Sequence, residues 1–269
     1  MFWGYPFTKK GTVNMKKWKH YLSVLVVLVC IMIPVGISVV IYDQRKVFKE
    51  DEQKYDDIRE DMITIPKETT LVANTESESK LPEKVVDFES LAKVNKDIVG
   101  WVYIPGTHID YPLLQEPVVG EYFYLKHSFD KSKAYCGSLF MAKSDIESIH
   151  TVIFGHNMRN TSMFGDLDLY KKESFYQANP YVYIYYPSGL TKWQVSSACN
   201  VLDTDMVYTM PYLAGDVAYS DLLDHLTRSS LYKTDCVPDV NTPTITLSTC
   251  SGKPGSYNRF IVTLVQIVE

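Results

Sequence analysis

One thiol, Cys250, closes the run Thr246-Leu247-Ser248-Thr249-Cys250, and a permanent cation, Arg259, opens the apolar run Phe260-Ile261-Val262 shortly after it. Residues 244–249 are rich in Thr and Ile and predict a strand that delivers Cys250 at its end; residues 259–268 predict a second strand. Between them, Ser251-Gly252-Lys253-Pro254-Gly255-Ser256 is turn chemistry. A hairpin closed by that loop returns Arg259 to the side of the sulfur.

A thiol nucleophile needs a base or acid, which has only to meet it in space. Val152-Ile153-Phe154-Gly155-His156-Asn157 supplies the candidate: three apolar residues predict a buried strand, and Gly155 is expected to let the backbone turn so that His156 emerges. Arg259 cannot lose its proton, so it suits a developing oxyanion. Taken singly, each has a bland reading: a buried small hydrophobe, a satisfied polar group, a surface charge.

The pattern resembles the class B sortases, membrane-anchored cysteine transpeptidases of Gram-positive bacteria. It is carried by Thr-Leu-Ser-Thr-Cys250 with Arg259, and upstream by Asp97-Ile98-Val99-Gly100-Trp101, Ile104-Pro105-Gly106-Thr107, Ile109-Asp110-Tyr111-Pro112, Gly137-Ser138-Leu139-Phe140, Gly155-His156-Asn157 and Met163-Phe164. It covers residues 87–269. The resemblance implies a closed eight-stranded β-barrel with a long helix inserted before the last two strands. It also implies Cys250, His156 and Arg259 as catalytic residues, with Ser248 and Thr249 as the nearby substrate contacts.

The elements that must position these residues agree. Of 269 residues 46% are hydrophobic and 22% charged, an ordinary globular balance, and the net charge of −5 leaves no basic footprint for nucleic acid. Tyrosine-rich runs such as Tyr181-Val182-Tyr183-Ile184-Tyr185-Tyr186 suit half-buried strands, so the fold is expected to be mainly β. Strands are predicted at 101–104, 109–114, 122–125, 134–142, 150–154, 181–186 and 190–201, and helices at 87–96, 162–176 and 216–231.

Residues 21–42 carry no charge and are long enough to cross a bilayer. Lys9, Lys10, Lys16, Lys17 and Lys19 precede them, which favours a cytoplasmic amino terminus. The length, and the lack of an Ala-x-Ala-like site at its end, favour an uncleaved signal anchor over a signal peptide. The expected organisation is a cytoplasmic basic segment at 1–20, a transmembrane signal anchor at 21–42, an extracellular stalk and linker at 43–86 and a catalytic domain at 87–269. Within the stalk, 43–60 could form a charged helix and 69–80 has little to bury.

Cys136 reads as a buried thiol, and Cys199 and Cys236 could pair in an oxidising exterior. The spacing of ligands suggests neither metal nor cofactor. His127 and His150 are the rivals to His156.

The function expected from the resemblance is cell-surface transpeptidation. Cys250 cuts a C-terminal sorting signal of a secreted protein after threonine, and the thioacyl enzyme passes its cargo to an amine of a peptidoglycan precursor. A pilin-polymerising sortase and a cysteine peptidase that discharges to water stay open as alternatives. Two departures matter: Glu121 stands where many class B members have Asn, and Ser251 where some have an acidic residue.

Overall fold

The computed structural model describes residues 15–65, 84–144, 147–209, 211–252 and 255–267. The basic residues before 15, the linker expected at 69–80, Lys253, Pro254 and the end of the last predicted strand lie outside the described residues. The chain forms two compact units, Met1–Lys49 and Glu50–Glu269.

Helix α1 (Met15–Met62) holds the apolar stretch without a break, with Pro34 inside it. The helix is long and apolar enough to cross a membrane.

In the second unit, β1 (Ile63–Thr64) pairs with β2 (Val85–Val86), and α2 (Phe88–Val94) follows. The Asp87 side chain accepts from the Ser90 amide, the N-cap bond its type predicts. A closed barrel of eight strands then forms: β3 (Ile98–Tyr103), β4 (Asp110–Gln115), β5 (Leu139–Met141), β6 (His150–Phe154), β7 (Tyr181–Tyr186), β8 (Gly189–Leu202), β9 (Thr244–Cys250) and β10 (Asn258–Ile267). Their order around the barrel is β10-β8-β7-β3-β4-β5-β6-β9. Trp101, Phe140, Val152, Ile184, Leu247 and Phe260, from six of these strands, are fully buried. The short helix α3 (Glu173–Ala178) precedes β7, and the inserted helix α4 (Val217–Ser229) lies between β8 and β9. Tyr219, Leu222 and Leu226 of α4 bury against Cys199, Val201 and Ile261 of the sheet.

Three expectations change. The predicted strand 122–125 is a 3₁₀ turn, Phe123–Leu125, entered through Tyr122 in the left-handed region at φ 48°, which no strand can accommodate. Of 134–142 only Leu139–Met141 is strand, because Gly137 at φ 59° breaks the extended run before it. The helix predicted at 162–176 divides into a 3₁₀ segment, Gly165–Lys171, and α3, separated by Lys172 in extended conformation. Cys199 and Cys236 are both free thiols, with Cys199 Sγ donating to the Leu226 carbonyl at 3.4 Å.

The expected stalk also contributes to the compact unit. Tyr55 and Ile58 of α1 are 3% and 5% exposed. The Tyr55 ring meets Tyr111 and Phe129 edge-on at 5.4 and 5.1 Å, and its hydroxyl donates to the Gly137 carbonyl at 2.7 Å. Asp51 accepts from the Tyr135 amide at 3.1 Å, and burial raises its carboxyl pKa. Asp87 N donates to Met62 O at 3.0 Å, closing this edge.

Tyr55→Ala is therefore expected to cost about 3–5 kcal/mol, the range for emptying a buried aromatic site, read as a lower urea midpoint. A chain beginning at residue 50 should keep the full-length midpoint for the second unit. One beginning near residue 81 should lose it.

Candidate active site

Strands β6 and β9 lie side by side and parallel, paired from His150↔Thr244 to Phe154↔Ser248. Both chains therefore leave the barrel at the same rim. Residues 244–249 are buried and Cys250, the last of β9, is exposed. A strand buried on both faces ordinarily reads as a continuous apolar run, yet β9 alternates hydroxyls with Ile and Leu. Each hydroxyl has a partner. Thr244 Oγ1 meets His150 Nδ1 at 2.8 Å, Thr246 Oγ1 meets Thr263 Oγ1 at 3.0 Å, Ser248 Oγ meets the Tyr208 hydroxyl at 2.7 Å, and Thr249 Oγ1 donates to Gly155 O at 2.8 Å.

The contact continues beyond the last register pair. Gly155 N donates to Ser248 O at 3.2 Å, and Asn157 Nδ2 donates to Cys250 O at 3.0 Å. His156 thus sits between two residues tied to the end of β9. Its Nε2 lies 2.8 Å from the carbonyl oxygen of Leu125. A carbonyl only accepts, so Nε2 carries the proton, and Nδ1 is the ring nitrogen left for proton exchange. Gly155 is not needed for an unusual φ, as expected from sequence, but for space. A Cβ there would come within 2.4 Å of the Leu139 side chain and 2.7 Å of Phe164.

On its other side β9 pairs antiparallel with β10, and Arg259 stands directly opposite Cys250. Opposed residues share a face with Cβ atoms about 5 Å apart. The guanidinium is tethered: Nη1 donates to Ser256 O at 2.9 Å and Asn258 O at 3.0 Å, and Nη2 lies 3.4 Å from Asp203 Oδ2.

Cys250, His156 and Arg259 line one cleft of about 340 Å³. Tyr122, Phe154 and Tyr208 give it aromatic walls, with Tyr208 stacked on Phe154 at 6.0 Å between centroids. Burial pushes the Tyr208 phenol up to about 12, so it keeps its proton for the bond with Ser248. Ser248 and Thr249 also line the cleft, but they are 1% and 2% exposed and their hydroxyls are engaged. They shape its wall. The rivals to His156 stand elsewhere. His150 is fully buried, its pKa lowered to about 4 by burial, and His127 stacks on Phe123 at 3.8 Å. Glu121 is exposed, and the cleft is lined by its neighbour Tyr122. Ser251 Oγ is reached by Lys171 Nζ at 3.4 Å, and the carboxylate beside the cleft is Asp203 instead.

Asp203, Tyr208 and the anchoring role of Asn157 were not predicted. Asp203 and Tyr208 lie in irregular sequence after β8, with no local pattern that connects them to Cys250. Asn157 lies in the Gly155-His156-Asn157 motif, but its partner, the Cys250 backbone carbonyl, leaves no trace in sequence.

The fold is a closed eight-stranded β-barrel, and the cleft at its rim brings together a thiol, an imidazole and a guanidinium. The sortase domain family matches residues 102–266. Sortase B of Staphylococcus aureus (strain NCTC 8325 / PS 47) is 28% identical over 257 residues, 94% of this chain and 99% of the relative. Sortase B of Listeria monocytogenes serovar 1/2a is 35% identical over 168 residues, 61% of this chain and 67% of that one. A solved Staphylococcus aureus sortase B–substrate complex superposes with a TM-score of 0.60 at 32% identity, covering 67% of this chain and 84% of the other. The chain belongs to the sortase family, and within it to class B.

The seat of His156 makes a test. Gly137 has φ 59°, and a Cβ on it would lie 2.7 Å from Tyr124 O and 2.8 Å from Leu125 O, the carbonyl that holds His156. Gly137→Ala should displace that carbonyl and cost about 1–2 kcal/mol in backbone strain. The expected signature is a fall in kcat greater than the loss of stability explains, with a change in the His156 ring signal by NMR.

Proposed function

We propose that Cys250 is the nucleophile, His156 the acid and base, and Arg259 the oxyanion-binding cation of a transpeptidase acting on sorting signals. The observation that carries this reading is their shared lining of one cleft at the common rim of β6, β9 and β10.

The Cys250 thiolate attacks the carbonyl carbon of the signal's threonine, and negative charge moves to the carbonyl oxygen beside the Arg259 guanidinium. The Arg259–Asp203 contact holds the fork in orientation. As the tetrahedral intermediate collapses, protonated His156 gives its proton to the departing amine, and a thioester joins the secreted protein to Cys250. A neutral amine of a peptidoglycan precursor attacks the thioester carbon. His156 takes the amine's proton, an amide forms and the thiolate is released. A thioester retains acyl energy, so it can be handed to an amine instead of water. Ser248 and Thr249 contact the substrate through the wall they form. The apolar part of α1 anchors the enzyme by a single span, with the basic amino terminus in the cytoplasm and the catalytic unit outside.

The test is mass spectrometry of the full-length chain in detergent micelles, with a library of sorting peptides and with or without triglycine as acceptor amine. The expected products are a thioacyl adduct on Cys250 and an amine-dependent ligation product. Cys250→Ala should abolish both while keeping the unfolding midpoint. Cleavage that persists in that variant would remove Cys250 from the mechanism, and hydrolysis unaffected by triglycine would make the enzyme a peptidase.

Arg259→Lys is expected to lower kcat by about 10²-fold or more, the range for loss of one oxyanion donor, because an ammonium cannot reproduce the fixed fork. Thermal stability should barely change, since ion pairs that are still partly exposed contribute about 0–1 kcal/mol. Normal turnover in the Lys variant, or a much lower melting temperature, would make the arginine peripheral or structural.

A further inference from the structure

Beside the cleft lies a second cavity of about 200 Å³, and the two share Tyr122 and Tyr208. Glu116, the residue after β4, lines this smaller space and is 2% exposed. Its Oε1 accepts from the Phe123 amide at 3.0 Å. Its Oε2 is buried and has no hydrogen-bond partner among the described residues. Burial raises the carboxyl pKa, against the Phe123 and Tyr124 amides, and the charges of Glu121 and Asp97 add to the rise.

A buried carboxylate oxygen without a donor is costly, and native proteins leave few of them. The nearby cation does not relieve it. Lys143 lines the same cavity, but its Nζ donates to Pro117 O at 2.8 Å. The space is below the roughly 300 Å³ at which sites for whole small molecules begin, which suits one side chain of a ligand whose remainder lies in the cleft. Glu116 with Glu121 and Asp97 outnumber Lys143, the cation that lines the cavity, and this balance favours a cationic donor over a neutral one.

We propose that this cavity is a subsite for a primary ammonium group, carried by a basic side chain of the peptide whose scissile bond occupies the cleft. The inference rests on the function proposed for that cleft. The bound group is not the acceptor amine: an ammonium paired with a carboxylate is protonated and cannot attack. Cys250, His156 and Arg259 are also not among the residues lining this cavity.

Two measurements decide it. The first follows the Phe123 backbone amide by NMR while the full-length chain in micelles is titrated with n-butylammonium chloride or with n-butanol. Saturation by the ammonium alone, lost in Glu116→Gln, is expected; equal response to both probes, or no response to either, overturns the site. The two probes on the unaltered chain settle this even if Glu116→Gln fails to fold. The second compares cleavage of matched peptides carrying lysine or norleucine at each position upstream of the scissile bond. At one position lysine should lower KM by about tenfold or more with kcat little changed, and the lysine-to-norleucine ratio should fall to about one in Glu116→Gln. Equal KM values at every position overturn the subsite's role in substrate choice. If no peptide is cleaved, the function proposed for the cleft fails, while the ammonium titration still reports on the cavity.

Discussion

The parallel register of β6 and β9 is the constraint on which the rest of the structure depends. Phe154 opposite Ser248 sets both chain ends at one rim, and His156 and Cys250 each follow by two positions. A slip of one residue would turn every side chain of β9 to the other face. Apolar contact alone resists such a slip weakly, because Ile and Leu tolerate repacking. The hydroxyls of Thr244, Thr246, Ser248 and Thr249 resist it strongly, because each reaches a specific partner in β6, β10 or the adjoining turns. Slippage would leave four buried hydroxyls without partners, at about 1–3 kcal/mol each.

The imidazole depends on a second line of contacts. Tyr55 of α1 donates to the Gly137 carbonyl, Gly137 packs under Tyr124 and Leu125, and the Leu125 carbonyl holds His156 Nε2. This gives residues 50–62 a structural role beside the site, although their thin apolar stripe suggests little more than a charged stalk. Arg259 is oriented differently, by two carbonyls and the partly exposed Asp203. These contacts hold direction more than they add stability, which suits the oxyanion-binding role proposed for Arg259.

Where the sequence pattern was strong, the elements follow it. The tyrosine run becomes β7, the Leu222, Leu223 and Leu226 spacing becomes α4, and the Asp87 cap starts α2. The failures cluster around the cleft. Tyr122 and Gly137 both adopt positive φ and interrupt runs whose composition favours strand. At Tyr122 the left-handed conformation is carried by a residue whose type gives no warning, and the turn it opens supplies the Leu125 carbonyl to His156.

By itself the sequence determined a mainly β domain, the apolar stretch of α1 and the thiol, imidazole and guanidinium that were candidates for chemistry, because periodicity, span length and side-chain type are local properties; the closed barrel came from the family resemblance. Tertiary structure alone decided which of three rival histidines lines a cleft with the thiol, which carbonyl sets its tautomer, and that Asp203 steadies Arg259. It alone left one buried oxygen of Glu116 without a hydrogen-bond partner among the described residues. These outcomes depend on residues far apart in the chain and on backbone atoms common to every residue type, so only closing the barrel could bring them together.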